Sequence, residues 1–146
     1  MRLSSQDAAA RFTAARVARL ATVDGTGRPH LVPVTFALRD DVIVIAVDHK
    51  PKESTDLKRL RNIDETGLVS LLADEYDDHH WERLWWARAD GRARITAAED
   101  GHSADIGRLC EKYEQYRTQP PLGPVIRVDV HRFTGWAYRE PSNPSR

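Results

Sequence analysis

Residues 74–86, DEYDDHHWERLWW, concentrate side chains that could bind a metal ion. The acidic and imidazole members are Asp74, Glu75, Asp77, Asp78, His79 and His80. Their spacing matches neither HxxxH nor HExxH, the patterns that bring two histidines to one face of a helix. On an extended chain the two adjacent histidines point to opposite sides and cannot share one site. We therefore predict a solvated loop between two strands and no metal site.

The same stretch ends in two adjacent tryptophans, Trp85 and Trp86. They stand at the start of a predicted strand, so one indole faces the core and the other faces outward. An indole buries a large apolar area and needs a partner for its N–H group. Core or subunit interface and direct contact with a planar cofactor are both open interpretations.

Residues 48–54, DHKPKES, are the best candidate for a phosphate site. Lys50 and Lys52 follow a predicted buried strand, and Ser54 and Thr55 begin the next predicted helix. A helix N-terminus presents free N–H groups and a partial positive charge, which two lysines would reinforce. The alternative is a lysine-rich loop that is simply solvated.

Nucleophilic catalysis has little support in this sequence. Cys110 lies on the apolar face of a predicted helix, where a thiol behaves as a small inert hydrophobe. No GxSxG motif occurs, and DGTGRP lacks the strand–GxGxxG–helix context of a dinucleotide-binding loop. We assign no catalytic residue.

Composition narrows the functional classes. The 146 residues include 22 Lys and Arg against 22 Asp and Glu, so no net charge attracts nucleic acid or an anionic membrane. No apolar run approaches the roughly 18 residues that a membrane span needs, and the N-terminus lacks the apolar core of a signal peptide. A single cysteine suits a reducing compartment. These features predict a cytoplasmic, single-domain protein without nucleic-acid or membrane partners.

The first half of the chain predicts a helix followed by three strands. Ser4 or Ser5 can cap a helix that runs to about Ala15. VARLATV then predicts a strand, and the turn-forming DGTGRP predicts a hairpin into HLVPVTFAL. RDD predicts a tight connection into VIVIAVD, a β-branched run typical of a strand buried on both faces.

The second half predicts two helices and three strands. ESTDLKRLRNI has apolar residues at helical spacing, and GLVSLLAD predicts a strand. Residues 87–95 alternate small apolar with charged side chains, which is typical of a strand with one buried face. Residues 99–116 predict one helix, ended by TQPPLGP, and VIRVDVHRF predicts the last strand. Strands joined by short hairpins favour a small antiparallel barrel with peripheral helices.

Five segments resemble the pyridoxamine 5′-phosphate oxidase-like superfamily, and more narrowly its actinobacterial branch of deazaflavin (coenzyme F420)-dependent oxidoreductases. They are RVARLATVDGTGRPHLVPVTF, DHKPKESTDLKRLRNI, RLWWARADGRARI, KYEQYRTQPPLGPVIRVDV and GWAYRE. The resemblance implies a mainly β fold, a split antiparallel β-barrel with peripheral helices. The barrel would occupy residues 1–138, with a flexible tail at 139–146. It also implies a homodimer that holds a flavin or deazaflavin in a groove between the subunits.

The resemblance also implies a set of cofactor-binding residues. His30, Pro33, Val34 and Thr35 would lie along the ring system, and Ala46 and Val47 would line the same groove. Lys52 would bind the cofactor phosphate, with Lys50 and Lys58 as competing assignments. Trp86 and Arg88 would reach the cofactor from the partner subunit.

One departure from the family pattern bears on the choice of cofactor. Pyridoxamine phosphate oxidases carry an arginine-rich pattern on the second strand, where this chain has only HLVPVTF. The resemblance therefore implies coenzyme F420 more than FMN, and hydride transfer to a small unsaturated substrate. An FMN-dependent oxidase or reductase, and a non-enzymatic flavin- or tetrapyrrole-binding protein, remain the alternatives.

Overall fold

The computed structural model describes residues 1–47, 57–97 and 102–139. The helices are α1 (Ser5–Ala14), α2 (Lys58–Glu65), α3 (His102–Lys112) and α4 (Glu114–Thr118). The strands are β1 (Ala18–Val23), β2 (Pro29–Val34), β3 (Ala37–Arg39), β4 (Val42–Ala46), β5 (Leu68–Glu75), β6 (Trp85–Thr96) and β7 (Val125–Ala137). A short 3₁₀ turn covers Trp81–Arg83. Most of the predicted tail, residues 140–146, lies outside the described residues.

The seven strands form one antiparallel sheet in the order β2-β1-β5-β6-β7-β4-β3. The long strands β6 and β7 pair from Trp85 opposite Ala137 to Thr96 opposite Val125. The first part of β6 also pairs with β5, and the first part of β7 pairs with β4. Among the described strands, β2 and β3 occupy the two edges and do not pair with each other, so the sheet is open.

A β-bulge interrupts the β6–β7 ladder between Asp90 and Gly91. A Cβ atom at position 91 would collide with the backbone oxygen of Asp129, so only glycine fits there. Beyond the bulge β7 continues to Ala137, four residues past the predicted end at Phe133. The bulge adds one residue to β7 and restores alternation on the far side.

The predicted continuous strand HLVPVTFAL is wrong, because the chain leaves the sheet at Thr35 and Phe36. Phe36 is fully buried, and its ring packs 4.8 Å from the ring centre of Phe12. Its N–H group donates to the hydroxyl of Tyr113 at 3.1 Å instead of joining a ladder. The segment before the break becomes β2 at one edge of the sheet. The segment after it becomes β3 at the opposite edge.

The predicted tight connection RDD is confirmed. Asp40 and Asp41 both adopt left-handed backbone conformations, with φ of 52° and 60°. Two consecutive residues of this kind match a hairpin turn whose twist suits the flanking strands.

The predicted single helix over residues 99–116 is wrong, because Tyr113 interrupts it. Tyr113 has extended backbone angles, φ −117° and ψ 120°, and separates α3 from α4. Its hydroxyl lies 2.9 Å from the backbone oxygen of Arg16 and 3.1 Å from that of Phe36. Docking of this side chain onto the segment around Phe36 therefore explains where α3 ends.

Helix α1 packs on the side of β6 and β7 that carries the buried alanines Ala87 and Ala89, which we call the inner face of the sheet. Phe12 is fully buried in the larger of two apolar clusters, which we call the main core. A smaller apolar cluster joins α3 to β3, β4 and β7 through Leu109. Arg127 on β7 and the buried Asp105 on α3 lie 3.1 Å apart and fix this second contact. In the described part of the chain, no helix is both long and apolar enough to cross a bilayer.

Candidate functional site

A cavity of about 270 Å³ lies between the ends of β2 and β4. Its walls are Val17, Pro33, Val34, Thr35, Ile45, Ala46, Arg59 and Tyr116. Four of the predicted cofactor-binding residues line this cavity: Pro33, Val34, Thr35 and Ala46. We call it the β2–β4 cavity.

One wall of the cavity is a free strand edge. β2 pairs with β1 alone, so its second edge has no ladder partner within the described residues. Pro33, which has no N–H group, is tolerated at such an edge. The unpaired backbone N–H and C=O groups of an exposed edge can form hydrogen bonds with the polar rim of a flat ligand. Because the chain turns away at Thr35, this edge ends beside the cavity.

Helix α4 supplies the opposite wall through Tyr116. The hydroxyls of Tyr116 and Thr35 lie 2.7 Å apart and share a hydrogen bond, in which either oxygen can donate. The Tyr116 ring also packs edge-on against Tyr113 at 5.7 Å. Tyr116 was not predicted as a site residue, because 81 positions separate it from Thr35 and no local pattern marks it.

Among the described residues, Arg59 on α2 is the cation that lines the β2–β4 cavity. It makes no ion pair or hydrogen bond within the described chain, so its guanidinium is available to an anion. The residue predicted from the sequence was its neighbour, Lys58. The helical spacing of Leu57, Leu60 and Ile63 defines the buried face of α2, but it does not show which polar residue reaches a cavity.

Lys58 lies at the other end of the β1–β2 hairpin, where its Nζ is 3.4 Å from Asp24 Oδ2. The Asp24 carboxylate also accepts hydrogen bonds from the Thr26 hydroxyl and the Arg28 N–H. These bonds, with that of Thr26 foremost, hold the pKa of Asp24 well below its usual range. Lys58 therefore pairs with a residue of the β1–β2 turn and does not line the cavity. The other two predicted phosphate ligands, Lys50 and Lys52, lie outside the described residues.

Two further predicted residues lie near the site but face the core. His30 stands opposite Thr22 on the inner face of the sheet, and its Nδ1 is buried with no hydrogen-bond partner in the described chain. Val47 is only 2% exposed and donates its N–H to Pro124. Neither side chain lines the β2–β4 cavity.

Trp86 and Arg88 lie on the outer face of β6, away from the β2–β4 cavity of their own chain. The Arg88 guanidinium sits 5.7 Å from the Trp86 ring centre. Its Nε donates to Asp90 at 3.2 Å, and Asp90 also accepts from Ser70. The structure therefore places the two predicted residues together, although not at the cavity of the same chain.

Hydrogen bonds between its own residues hold the stretch DEYDDHHWERLWW in place. The Asp77 carboxylate accepts from the backbone N–H groups of His79 and His80 at 2.9 and 3.1 Å. Trp85 packs against the main core and donates to Glu75, while Trp86 faces outward. In the described residues no three His, Cys, Asp or Glu side chains are grouped so as to hold a metal ion.

Comparison with known proteins identifies the family. Residues 5–137 match the pyridoxamine 5′-phosphate oxidase family. The chain belongs to this family. No curated protein matches the chain at a significant level.

Solved structures with this fold bind different prosthetic groups. An FAD-binding protein from Mesorhizobium loti is 20% identical, with a TM-score of 0.70 over 92% of this chain and 95% of that one. An FAD-binding protein from Mycobacterium smegmatis is 19% identical, with a TM-score of 0.65 over 96% and 99%. A heme storage protein from Vibrio cholerae is 16% identical, with a TM-score of 0.68 over 92% and 95%.

The pyridoxamine 5′-phosphate oxidase family assignment confirms the predicted fold, a split antiparallel β-barrel with peripheral helices. In this member of the family, the β2–β4 cavity combines a pair of hydrogen-bonded hydroxyls with a strand edge and an arginine that have no partner among the described residues. Such a set can hold a flat heterocycle by its polar rim and an oxyanion by its charge.

Proposed function

We propose that this protein is an oxidoreductase that uses the deazaflavin coenzyme F420 to transfer a hydride to a small unsaturated substrate. The observation that carries the proposal is the β2–β4 cavity, where the free edge of β2 and the guanidinium of Arg59 face one space. The redox chemistry belongs to the cofactor when it is bound. The chain supplies binding, orientation and exclusion of water.

The β2–β4 cavity of one chain, at about 270 Å³, is below the roughly 300 Å³ of a typical small-molecule site, so its walls would hold only part of a flat, phosphate-bearing cofactor. Backbone groups of β2 near Pro33 and Thr35 would hold the ring system, and Ala46 leaves room beside it. Arg59 would hold the phosphate, because a guanidinium can give an oxyanion two parallel hydrogen bonds. Lys50 and Lys52 remain predicted additional ligands for the same phosphate.

Thr35 and Tyr116 are the side-chain hydroxyls that line the β2–β4 cavity. Their shared hydrogen bond joins the end of β2 to α4. Reduction of an unsaturated bond by a hydride also requires a proton. We propose that one of these two hydroxyls passes that proton to the bound substrate and takes a proton back from water.

We also propose a homodimer in which the second subunit contributes Trp86 and Arg88. Both lie outside the cavity of their own chain, so they would reach the cofactor only from another copy. The outer face of the sheet carries exposed apolar side chains, and the Thr134 Oγ1 there is buried without a hydrogen-bond partner in the described chain. The apolar side chains are Leu31, Leu68, Leu72 and Trp136. Burial of this face against a second subunit would account for both the exposed apolar side chains and the unpaired Thr134 hydroxyl.

A second candidate is an FMN-dependent oxidase or reductase, which the FAD-binding proteins among the similar structures favour. Against it stands the absence of arginine from HLVPVTF on β2. A non-enzymatic flavin- or tetrapyrrole-binding protein is a third candidate, favoured by the similar heme storage protein. We place the protein in the cytoplasm, where the free thiol of Cys110 would stay reduced.

Two linked measurements separate these candidates. Fluorescence titration of the purified protein with coenzyme F420 and with FMN, under one set of conditions, identifies the cofactor. Oxidation of the reduced deazaflavin by an α,β-unsaturated carbonyl compound, monitored by absorbance, tests hydride transfer. Saturable deazaflavin binding with turnover supports the proposal. Preference for FMN supports the second candidate, and tight binding without turnover across a panel of acceptors supports the third.

A further inference from the structure

A second cavity has a volume of about 360 Å³ and, within the described chain, shares no lining residue with the first. It lies among α1, β3 and α3, and we call it the basic cavity. We propose that the basic cavity is a binding site for a small molecule that carries an oxyanion, either a phosphate or a carboxylate. Its volume falls in the range of small-molecule sites, which begins at about 300 Å³. The inference does not depend on the proposed function.

The charge of the basic cavity is strongly one-sided. Among the described residues, four cationic side chains line it, those of Arg16, Arg39, Arg108 and Lys112, and Glu111 is the single lining carboxylate. The whole chain is electrically neutral, with 22 basic and 22 acidic residues, so this excess is a local feature. A concave surface lined by one sign of charge concentrates ions of the opposite sign.

Lys112 is the most constrained of the four cations. Its Nζ lies 3.8 Å from the Phe36 ring centre and donates one hydrogen bond, to the backbone oxygen of Thr13 at 3.2 Å. Burial, and then the positive charge of Arg16, lower the pKa of Lys112 to about 8. An ammonium held half-buried beside another cation destabilises the fold, and a bound anion would relieve that cost.

Of the three arginines that line the basic cavity, Arg16 is the one held in place by contacts within the described chain. One guanidinium nitrogen of Arg16 donates to the backbone oxygen of Lys112 at 2.9 Å, and the group stacks 4.7 Å from the Tyr113 ring centre. These contacts leave its other donors free. Arg108 makes no hydrogen bond or ion pair within the described chain. Arg39 has only a distant, exposed partner, Asp40, at 3.8 Å.

Together these features match the requirements of oxyanion recognition. Planar guanidinium groups give phosphates and carboxylates paired hydrogen bonds, and a half-buried ammonium adds a point charge. The site is separate from the β2–β4 cavity, where Arg59 is the lining cation. Tyr113 contacts a lining residue of each cavity, because its ring lies 4.7 Å from the Arg16 guanidinium and 5.7 Å from the Tyr116 ring centre.

The test is an NMR titration of the full chain with inorganic pyrophosphate and, separately, with succinate at constant ionic strength. The signals followed are those of the Lys112 and arginine side chains. Arg108→Gln removes one cation without breaking a contact seen in the structure. Arg28→Gln, at the exposed β1–β2 turn, removes the same charge far from the cavity and serves as the control.

The proposal predicts saturable shifts of Lys112 with at least one of the two anions. Arg108→Gln should weaken that binding about tenfold, whereas Arg28→Gln should leave it unchanged. Tighter binding of pyrophosphate assigns the site to phosphates, and tighter binding of succinate assigns it to carboxylates. Shifts that never saturate, or equal weakening by both variants, would show general electrostatic attraction and overturn the proposal.

A second variant keeps the test independent of any one arginine. Lys112→Met retains most of the side-chain volume on Phe36 and removes the charge. It should bind the preferred anion at least about tenfold more weakly while keeping the wild-type pattern of backbone signals. Unchanged affinity in a folded Lys112→Met protein would contradict the site.

Discussion

The hydroxyl groups of Thr35 and Tyr116 lie 2.7 Å apart and join the end of β2 to α4 across 81 positions of the chain. This contact closes one wall of the β2–β4 cavity at the point where the chain leaves the sheet. The position of the free edge of β2 therefore depends on a helix that follows it much later in the sequence.

Tyr116→Phe removes this hydrogen bond and keeps the ring. We expect deazaflavin affinity to fall about fivefold and the free energy of unfolding to fall by about 1 kcal/mol, the usual net value of one such bond. Fluorescence titration and urea denaturation measure the two effects. Tyr138→Phe, at an exposed tyrosine away from the cavity, is the control. Unchanged affinity in Tyr116→Phe would show that the contact does not position the site.

Gly91→Ala tests the bulge between β6 and β7. The added methyl group would collide with the backbone oxygen of Asp129, which cannot move without breaking the ladder. We expect a loss of about 3 kcal/mol in the free energy of unfolding. Gly107→Ala is the matched control, because a Cβ there meets no atom within 4 Å and alanine favours the helix by about 1 kcal/mol. Equal stability of the two variants would contradict the described register.

The lowered pKa of Lys112 predicts a pH dependence of stability. Between about pH 8 and about pH 10 the unfolded chain keeps the Lys112 proton, whereas the folded chain releases it. The unfolded state then binds more protons, so the free energy of unfolding rises with pH. Burial raises the pKa of the neighbouring Tyr113 hydroxyl above its ordinary value.

The measurement for this prediction is denaturation of wild type and Lys112→Met in a chloride buffer across the same pH range. The difference between the two free energies of unfolding isolates the lysine, because the other groups are shared. Wild type should gain stability relative to Lys112→Met as pH rises. Parallel curves would mean that the pKa of Lys112 is not lowered.

Leu72→Glu tests the proposed homodimer. Leu72 is 38% exposed on the outer face of β5, beside Arg88 in the ladder. A carboxylate there would lose water on assembly, so sedimentation should show dissociation to monomer and weaker cofactor binding. Leu122→Glu, at a leucine that is 92% exposed in a loop, should leave the assembly intact. A wild-type monomer at micromolar concentration would itself refute the dimer.

Local patterns predicted most of the secondary structure. Alternation in residues 87–95 identified β6 and its buried face, and the two aspartates of RDD predicted the turn between β3 and β4. Both features depend on neighbouring residues alone. The resemblance to the family then predicted that the strands assemble into a split antiparallel β-barrel, which no local pattern shows.

The errors came from contacts between distant parts of the chain. Phe36 leaves the sheet because Phe12 and Tyr113 hold it, and neither is near it in the sequence. Tyr113 ends α3 for the same reason. At the site, Arg59 and Lys58 are adjacent cations on one short helix, and only the path of α2 decides which of them reaches the cavity.

That difference between two neighbouring cations gives the most direct test of the account. Deazaflavin affinity should be measured by fluorescence titration for wild type, Arg59→Gln and Lys58→Gln under identical conditions. The account predicts that Arg59→Gln binds about tenfold more weakly, through loss of a charge-assisted hydrogen bond. Lys58→Gln, which loses only its pairing with Asp24, should bind like wild type. Weakening by Lys58→Gln with no change in Arg59→Gln would contradict the assignment of the β2–β4 cavity as the cofactor site.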